Sequence, residues 1–493
     1  MNTKSIRYIL GWILNIEALL MLLPVATAVF YREEEGIAYA LVVAVCAAVG
    51  ALLTYKKPKN PGFYAKEGFV CTALGWILMS VFGCLPFMLT NEIPSFVDAL
   101  FEMVSGFTTT GASVVANVEA LSRCTNMWRC FSHWIGGMGI LVFLLAVLPL
   151  VGGSNMQLMK AESPGPSVGK LVPKVRFTAR ILYVLYVALT LLQVLVMLMG
   201  GMTLHEALCT SFGTAGTGGF GIYGDSIASF SPFLQWAVTV FMIAFGVNFN
   251  VYFLLYMRRP KDALHCEEMH WYLGIIAAAA LLICANAYDV TLTLENNLRQ
   301  SFFQVASIIT TTGFATTDFN LWPGFSRSIL LLLMFIGACA GSTGGGLKVS
   351  RIVIGFKSVL TYLGAFLHPR AVRKVKFEDK DVDAETMHAI CVYFIAAIGL
   401  FVISVLLVAL DGFDLVTTFS AVAATFNNIG PGLGAAGPTS NFAAFSDFSK
   451  VVMTMDMLLG RLEVFPMLML FYPPLWKESI GEARIRRNRT ALH

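Results

Sequence analysis

Ten apolar stretches, each long enough to cross a bilayer, recur along this sequence at about 8–30, 37–55, 69–90, 128–152, 178–201, 232–257, 271–287, 326–360, 386–410 and 450–473. A spanning helix needs about 20 such residues, since each adds about 1.5 Å against a hydrocarbon core of about 30 Å. No water-soluble interior takes in that many apolar runs. Charged residues make up only 13% of the 493 positions, where a soluble domain carries about 25%. The chain therefore reads as an all-α integral membrane protein. Its first apolar run, after Met1 to Arg7, has no small-residue cleavage site before the acidic stretch Arg32-Glu33-Glu34-Glu35, so it reads as a retained span. The cysteines fall almost entirely inside apolar runs, where they act as small hydrophobes. Cys124 and Cys130 share a polar loop, and no disulfide is expected between them.

The net charge of +4 is modest and gives no reason to look for a nucleic-acid partner; the placement of the cations says more. Lys4 and Arg7 precede the first span. Every second connection after that is basic: Lys56, Lys57, Lys59 and Lys66; Lys160, Lys170, Lys174, Arg176 and Arg180; Arg258, Arg259 and Lys261; Arg370, Arg373, Lys374 and Lys376. The tail adds Lys477, Arg484, Arg486, Arg487 and Arg489, while the alternate connections hold scattered cations such as Arg32, Arg123, Arg129, Arg299 and Arg327. Basic loops stay in the cytoplasm, which puts both termini there and makes the number of spans even. These loops read first as topogenic charge, with docking of a cytoplasmic partner or anionic lipid as the alternative.

Internal repetition organises the rest. Four loops read Gly106-Phe107-Thr108-Thr109-Thr110-Gly111-Ala112, Gly213-Thr214-Ala215-Gly216-Thr217-Gly218-Gly219-Phe220, Ile309-Thr310-Thr311-Thr312-Gly313-Phe314 and Phe426-Asn427-Asn428-Ile429-Gly430-Pro431. Their central glycines lie 108, 94 and 117 residues apart, each between two long apolar runs. Ser95, Thr203, Asn297 and Asp414 stand 16 residues upstream as helix N-caps, and Asp98, Glu206, Gln300 and Thr417 follow three residues later, the first three at the capping-box position. Each loop thus predicts a preceding helix of about ten residues, too short to span and therefore re-entrant. Any one loop is an ordinary turn by composition; four in register argue for a shared architecture. The expected units are a two-span hairpin over 1–60 and four repeats of span, re-entrant helix, loop and span over 61–176, 177–265, 266–376 and 377–493, arranged around a central pore.

Extended backbone at bilayer depth is tolerated only where it is buried in protein or lines a water-filled cavity. Four such segments about an axis would turn carbonyl oxygens inward, and carbonyl rings replace the hydration shell of potassium without charged ligands. The four loops carry no acid or base at these positions, and each re-entrant helix would aim its partially negative C-terminal end at the ion.

Over nearly the whole chain these residues resemble the membrane subunit of the bacterial Trk/Ktr family of potassium uptake systems, related to fungal Trk and plant HKT transporters. The N-terminal hairpin resembles the Trk branch. The resemblance implies filter glycines at Gly111, Gly219, Gly313 and Gly430. Potassium, the transported ion and sole metal, would be held by carbonyls of Thr109, Thr110, Thr217, Gly218, Thr311, Thr312, Asn428 and Ile429. Some plant relatives with serine at the first glycine favour sodium, so Gly111 implies potassium. The fourth loop departs most, with Asn-Asn-Ile-Gly-Pro in place of Thr-Thr-Thr-Gly-Phe. The resemblance also implies a bacterial inner membrane, a homodimer, and a cytoplasmic nucleotide-binding regulatory subunit docking on the basic face.

The second span of the third repeat is interrupted by Gly341-Ser342-Thr343-Gly344-Gly345-Gly346, followed by Lys348. Each glycine costs about 1 kcal/mol against alanine in a helix. The stretch before it, about 328–340, covers half a membrane, so a broken helix with its loop below the filter is expected. Family members use such a loop as an intramembrane gate; glycine-lined helix packing is the alternative. Arg461 lies inside the last span, where an arginine costs about 2.5–3.5 kcal/mol and should face a pore or a partner. Its family counterpart points into the ion path, which implies a positive barrier that interacts with the gating loop. Glu463, two residues on, does not share its helix face.

Other motifs fail their context. Gly216 to Gly221 matches the dinucleotide pattern without a preceding soluble strand, and Gly341 to Lys348 has one residue too many for a phosphate-binding loop. His265, Cys266, Glu267, Glu268 and His270 read as a solvated helix start in preference to a metal site. No nucleophile–base pair is discernible, so neither an enzyme nor a cofactor is expected. The competing class is a proton- or sodium-coupled potassium symporter on the same scaffold. Its usual mark is inverted repeats, whereas these all run in one direction.

Overall fold

The computed structural model describes residues 2–58, 65–139, 175–368 and 373–476. They are helical apart from loops and one two-stranded antiparallel ribbon, Lys376–Phe377 with Lys380–Asp381. The hairpin runs up through Thr3–Leu20 and Leu22–Tyr31 and back through Gly36–Thr54. Its turn is set by Arg32 in the left-handed region, at φ 60°. Gly11 and Gly50 let the two helices touch closely: a side chain on Gly11 would collide with Leu53 and Thr54, and one on Gly50 with Asn15. The turn also reaches the first repeat. The Glu33 carboxylate accepts from the Arg123 and Cys124 N–H groups at 2.8 and 2.9 Å, an anion at a helix N-terminus.

The first spans of the four repeats are Lys66–Leu89, Val175–Met199, Glu267–Asn286 and Ala384–Val408. The re-entrant helices are Phe96–Phe107, Leu204–Ala215, Leu294–Ile309 and Leu415–Phe426. Polar residues in their C-terminal halves are buried, among them Ser105, Thr214, Ser307 and Thr425, while Leu195, Leu281 and Leu406 of the first spans are exposed. A surface of leucine around a polar interior is what lipid as solvent selects.

Among the described residues, seven helices are long and apolar enough to cross a membrane. The difference from ten lies in the second spans: three are bent or broken, and the first is described only in part. The first is helical from Arg123 to Gly137, with the expected continuation to 152 outside the described residues. Lys59, Lys160, Lys170, Lys174, Arg370 and the basic tail from Lys477 lie outside them too. The second, expected as one span over 232–257, divides into Pro232–Gly246 and Phe249–Tyr256 with an 88° bend. Asn248 caps the new helix by accepting from the Asn250 N–H, which is why the chain restarts there. The third is broken as expected, but its first half ends at Ile336. The fourth stops at Arg461 and resumes as Phe465–Leu470.

Local chemistry sets the re-entrant helices, with one correction. Ser95, Thr203 and Asp414 cap as predicted, and Thr203 with Glu206 completes a capping box. In the third repeat the cap is Thr293, not Asn297, so Gln300 lies past the capping-box position and that helix has 16 residues where the others have 12. The Asn297 side chain instead exchanges hydrogen bonds with the Asp289 backbone, tying the helix to its incoming loop. Cys124 and Cys130, expected in a polar loop, are buried within the helix Arg123–Gly137.

Candidate functional site

Each re-entrant helix ends in the same reversal. Thr109, Thr217, Thr311 and Asn428 have φ of 56°, 56°, 59° and 56°, and two residues on Gly111, Gly219, Gly313 and Gly430 have φ of 81°, 81°, 83° and 104°. Between them, the N–H groups of Thr110, Gly218, Thr312 and Ile429 reach back to carbonyls of Ser105, Gly213, Ser307 and Ala424 at 2.8–2.9 Å. That bond, from residue six to residue one, is the Schellman turn, which ordinarily places glycine at the left-handed position. Here three of the four are threonine, at a cost of about 1–2 kcal/mol each. Their side chains are used. Thr109 Oγ1 accepts from Arg461 at 3.0 Å and Thr311 Oγ1 from the Gly345 N–H at 2.6 Å. Asn428 Nδ2 donates to Thr110 Oγ1 and to the Met457 carbonyl, both at 2.9 Å.

The four loops meet in a closed ring. A side chain on Gly111 would collide with the carbonyl oxygen of Gly218, one on Gly219 with that of Thr312, and one on Gly313 with that of Ile429. The cycle closes because a Cβ on Gly430 would sit 2.8 Å from the Thr110 carbonyl oxygen. Each glycine thus makes room for the carbonyl of the next repeat. All twelve residues expected at this site, Thr109 to Gly111, Thr217 to Gly219, Thr311 to Gly313 and Asn428 to Gly430, are brought together. A ring of backbone oxygens with no ionised side chain can coordinate a desolvated monovalent cation.

Buried side chains that sequence reasoning passed over hold the ring from behind. His133 Nδ1 donates to the Gly106 carbonyl at 2.7 Å and its Nε2 accepts from the Phe220 N–H at 3.1 Å, bridging two loops as a neutral ring. Arg129, expected as a scattered loop cation, is buried against Glu102 with bonds of 2.6 and 2.8 Å. Glu102 also accepts from Ser113 and from the Val114 N–H, both at 2.9 Å. Lys450 pairs with Asp98 at 2.6 Å, joining the fourth repeat to the first. A helix-borne charge pattern gave no signal for these pairs, because the partners lie on different helices.

Below the ring runs the loop between Ile336 and Val349. Gly337, Gly341 and Gly346 have φ of 76°, 73° and 74°. Gly344 and Gly345 lie against the undersides of the third and fourth loops: a Cβ there would be 2.9 Å from the Thr310 carbonyl and 2.7 Å from the Asn427 carbonyl, respectively. Ser342 Oγ closes a turn onto the Cys339 carbonyl at 2.6 Å, and Thr343 Oγ1 donates to the Phe245 carbonyl at 3.3 Å. Lys348 is buried and folds back to donate to the Gly344 carbonyl. Arg461 reaches all of this. It donates to the Thr343 carbonyl at 2.9 Å and to those of Gly136 and Gly137 at 2.5 and 3.2 Å, besides Thr109. It terminates its helix where mid-helix was expected, so its charge meets the C-terminal dipole end.

Two further acids lie beside the loop, and the second corrects the sequence reading. Glu463, at φ 55° beside Val464 at φ 68°, pairs with Arg351 at 2.6 Å, and Arg351 lies over the Tyr393 ring at 4.2 Å. Glu268, grouped above with a solvated helix start, is buried and turned towards the loop. Among the described residues no three metal-capable side chains converge there or elsewhere.

Four span–re-entrant helix–loop–span units closing on one ring define a multi-pass membrane protein with a pore-type fold built by internal repetition. The chain belongs to the TrkH family of cation transport proteins, whose family model matches residues 36–284 and 276–478. It is 36% identical over 490 residues to the Trk system potassium uptake protein TrkH of Salmonella typhimurium, covering 97% of this chain and 100% of that one. It is 33% identical over 487 residues to the Trk system potassium uptake protein TrkG of Escherichia coli K12, with 97% and 100% covered. The crystal structure of the potassium transporter TrkH from Vibrio parahaemolyticus superposes with a TM-score of 0.86 at 32% identity, over 97% of this chain and 100% of that chain.

Proposed function

We propose that this chain takes up potassium across the bacterial inner membrane, through a filter formed by the ring of Thr110, Gly218, Thr312 and Ile429 carbonyls, under control of the loop Gly341–Lys348. The observation that carries the reading is the closed glycine–carbonyl cycle at the ends of four re-entrant helices, free of ionised side chains. Potassium sheds its hydration shell into such carbonyls, and four negative helix ends favour the cation. The names of the relatives supply the same ion. The inner loop supports the gate reading because it sits directly under the third and fourth loops, bonds Thr311 through the Gly345 N–H and is linked to Thr109 through Arg461. Arg461 there is a positive barrier in the path of a cation. Both termini are cytoplasmic in this reading, and the family resemblance supplies a homodimer with a cytoplasmic nucleotide-binding regulatory subunit.

Flux in proteoliposomes containing only this chain tests the proposal, with a potassium gradient imposed and proton and sodium gradients clamped. Potassium-selective movement down its own electrochemical gradient is expected. Uphill accumulation driven by an imposed proton or sodium gradient would replace the pore reading by coupled symport.

A further inference from the structure

A loop with three successive glycines and three glycines at positive φ has wide conformational freedom, so its observed course requires anchors. One carboxylate supplies two of them. Glu268 Oε1 accepts from the Ala340 N–H at 2.7 Å and from the Ser350 N–H at 3.1 Å, immediately before and shortly after the segment Gly341–Lys348. Its Oε2 accepts from Asn248 Nδ2 at 3.4 Å, at the bend of the second repeat, where the Phe249 N–H also bonds the Gly341 carbonyl at 3.1 Å. Glu268 is 2% exposed, so these bonds form away from water, where charge-assisted bonds to a carboxylate are strong.

The helix on the far side of the loop explains why an anion belongs there. Val349–Leu367 begins after Lys348, which has φ 76° and makes no side-chain cap, and its first turn contains no acid. Four N–H groups at such an end need acceptors. Glu268 supplies the missing charge from another helix, opposite the N-terminal dipole.

We propose that Glu268 is the positioning residue that pins the loop under the ring, closing it by holding both flanks on a single oxygen. Because the flanks share one acceptor, neither is released without weakening the other, and the loop is held as a unit. This rests on the reading of Gly341–Lys348 as a gate, and deletion of Gly344 to Gly346 in the same assay tests that reading separately.

The experiment measures basal potassium flux per inserted molecule of full-length protein in proteoliposomes, without any partner, for wild type, Glu268→Ala, Glu268→Gln and the glycine deletion. Glu268→Ala is expected to raise basal flux about tenfold, the equivalent of one charge-assisted hydrogen bond. Glu268→Gln, which keeps an acceptor oxygen without its charge, should fall between it and wild type, and the potassium-to-sodium permeability ratio should hold in both. A role confined to folding would lower flux or disturb that ratio. If the deletion raises flux and Glu268→Gln remains at the wild-type level, the pin is overturned while the gate stands. If the deletion also leaves flux unchanged, the gate itself fails. Where Glu268→Ala does not insert, Glu268→Gln alone decides.

Discussion

At the level of the ring the four repeats are near copies of one another, and beneath it they are not. Left-handed residues at the ends of the re-entrant helices differ in φ by no more than 3°, from 56° to 59°. Beneath them, one second span turns through 88°, the next opens into a glycine-rich loop, and the last restarts after the Glu463-Val464 break. The difference follows from what each half must do geometrically. Four oxygens around one axis require equivalent backbones, whatever the side chains. Nothing imposes such equality below the ring, so single residues there, such as Arg461, Glu268 and Asn248, take roles with no counterpart in other repeats among the described residues.

That contrast can be broken from either side. Deleting Gly344 to Gly346 removes the largest departure from symmetry and should raise basal potassium flux by about two orders of magnitude, if closure is worth about 2.7 kcal/mol; unchanged flux in a correctly inserted protein would favour a packing role for these glycines. Gly111→Ser attacks the symmetric half instead. Its side chain must displace the Gly218 carbonyl, so the potassium-to-sodium permeability ratio should fall about tenfold, on the scale of one lost ligand; identical reversal potentials would show that the ring tolerates the shift. Arg351→Ala frees Glu463, itself at positive φ beside Val464, and leaves a carboxylate without its cation. A loss of about 1–3 kcal/mol in stability is expected from thermal unfolding in detergent, with selectivity intact. The smallest effect separates two candidate starts of the third re-entrant helix, Thr293 and Asn297. Thr293→Ala should cost about 1 kcal/mol, whereas Gln300→Ala, which would break a capping box only if Asn297 were the cap, should cost less; equal costs in the same melts would count against the revised start.

Legibility followed the same division. The ring half was readable because it repeats: caps, glycines and threonines recur in register, and four weak signals reinforce one another. Asn297 misled by one turn because it is a good cap by type and stands at the expected offset, while Thr293 lies four residues earlier. The inner half offered only two strong signals, the glycine run and Arg461 within an apolar span. Nothing in Leu462-Glu463-Val464 marks a helix end, since a valine at φ 68° is opposed by its own branching; the break needs Arg351, from 112 positions away, on Glu463. Glu268 reads as part of a solvated helix start for a similar reason. An acid in the first turn of a helix is ordinary, and its partners at Ala340 and Ser350 are backbone groups that no composition reveals.

The order of packing in the ring has a genetic consequence. Every glycine shelters an oxygen belonging to its successor, so the four repeats form a directed cycle of dependence: first on second, second on third, third on fourth, fourth on first. A lesion at one glycine is felt as a defect in its neighbour, and compensating changes after Gly111→Ser belong around Thr217 and Gly218 in preference to the first repeat. Copies of an ancestral unit bound in this way cannot drift one at a time, and their freedom to diverge lies in the half of the molecule where the cycle does not run.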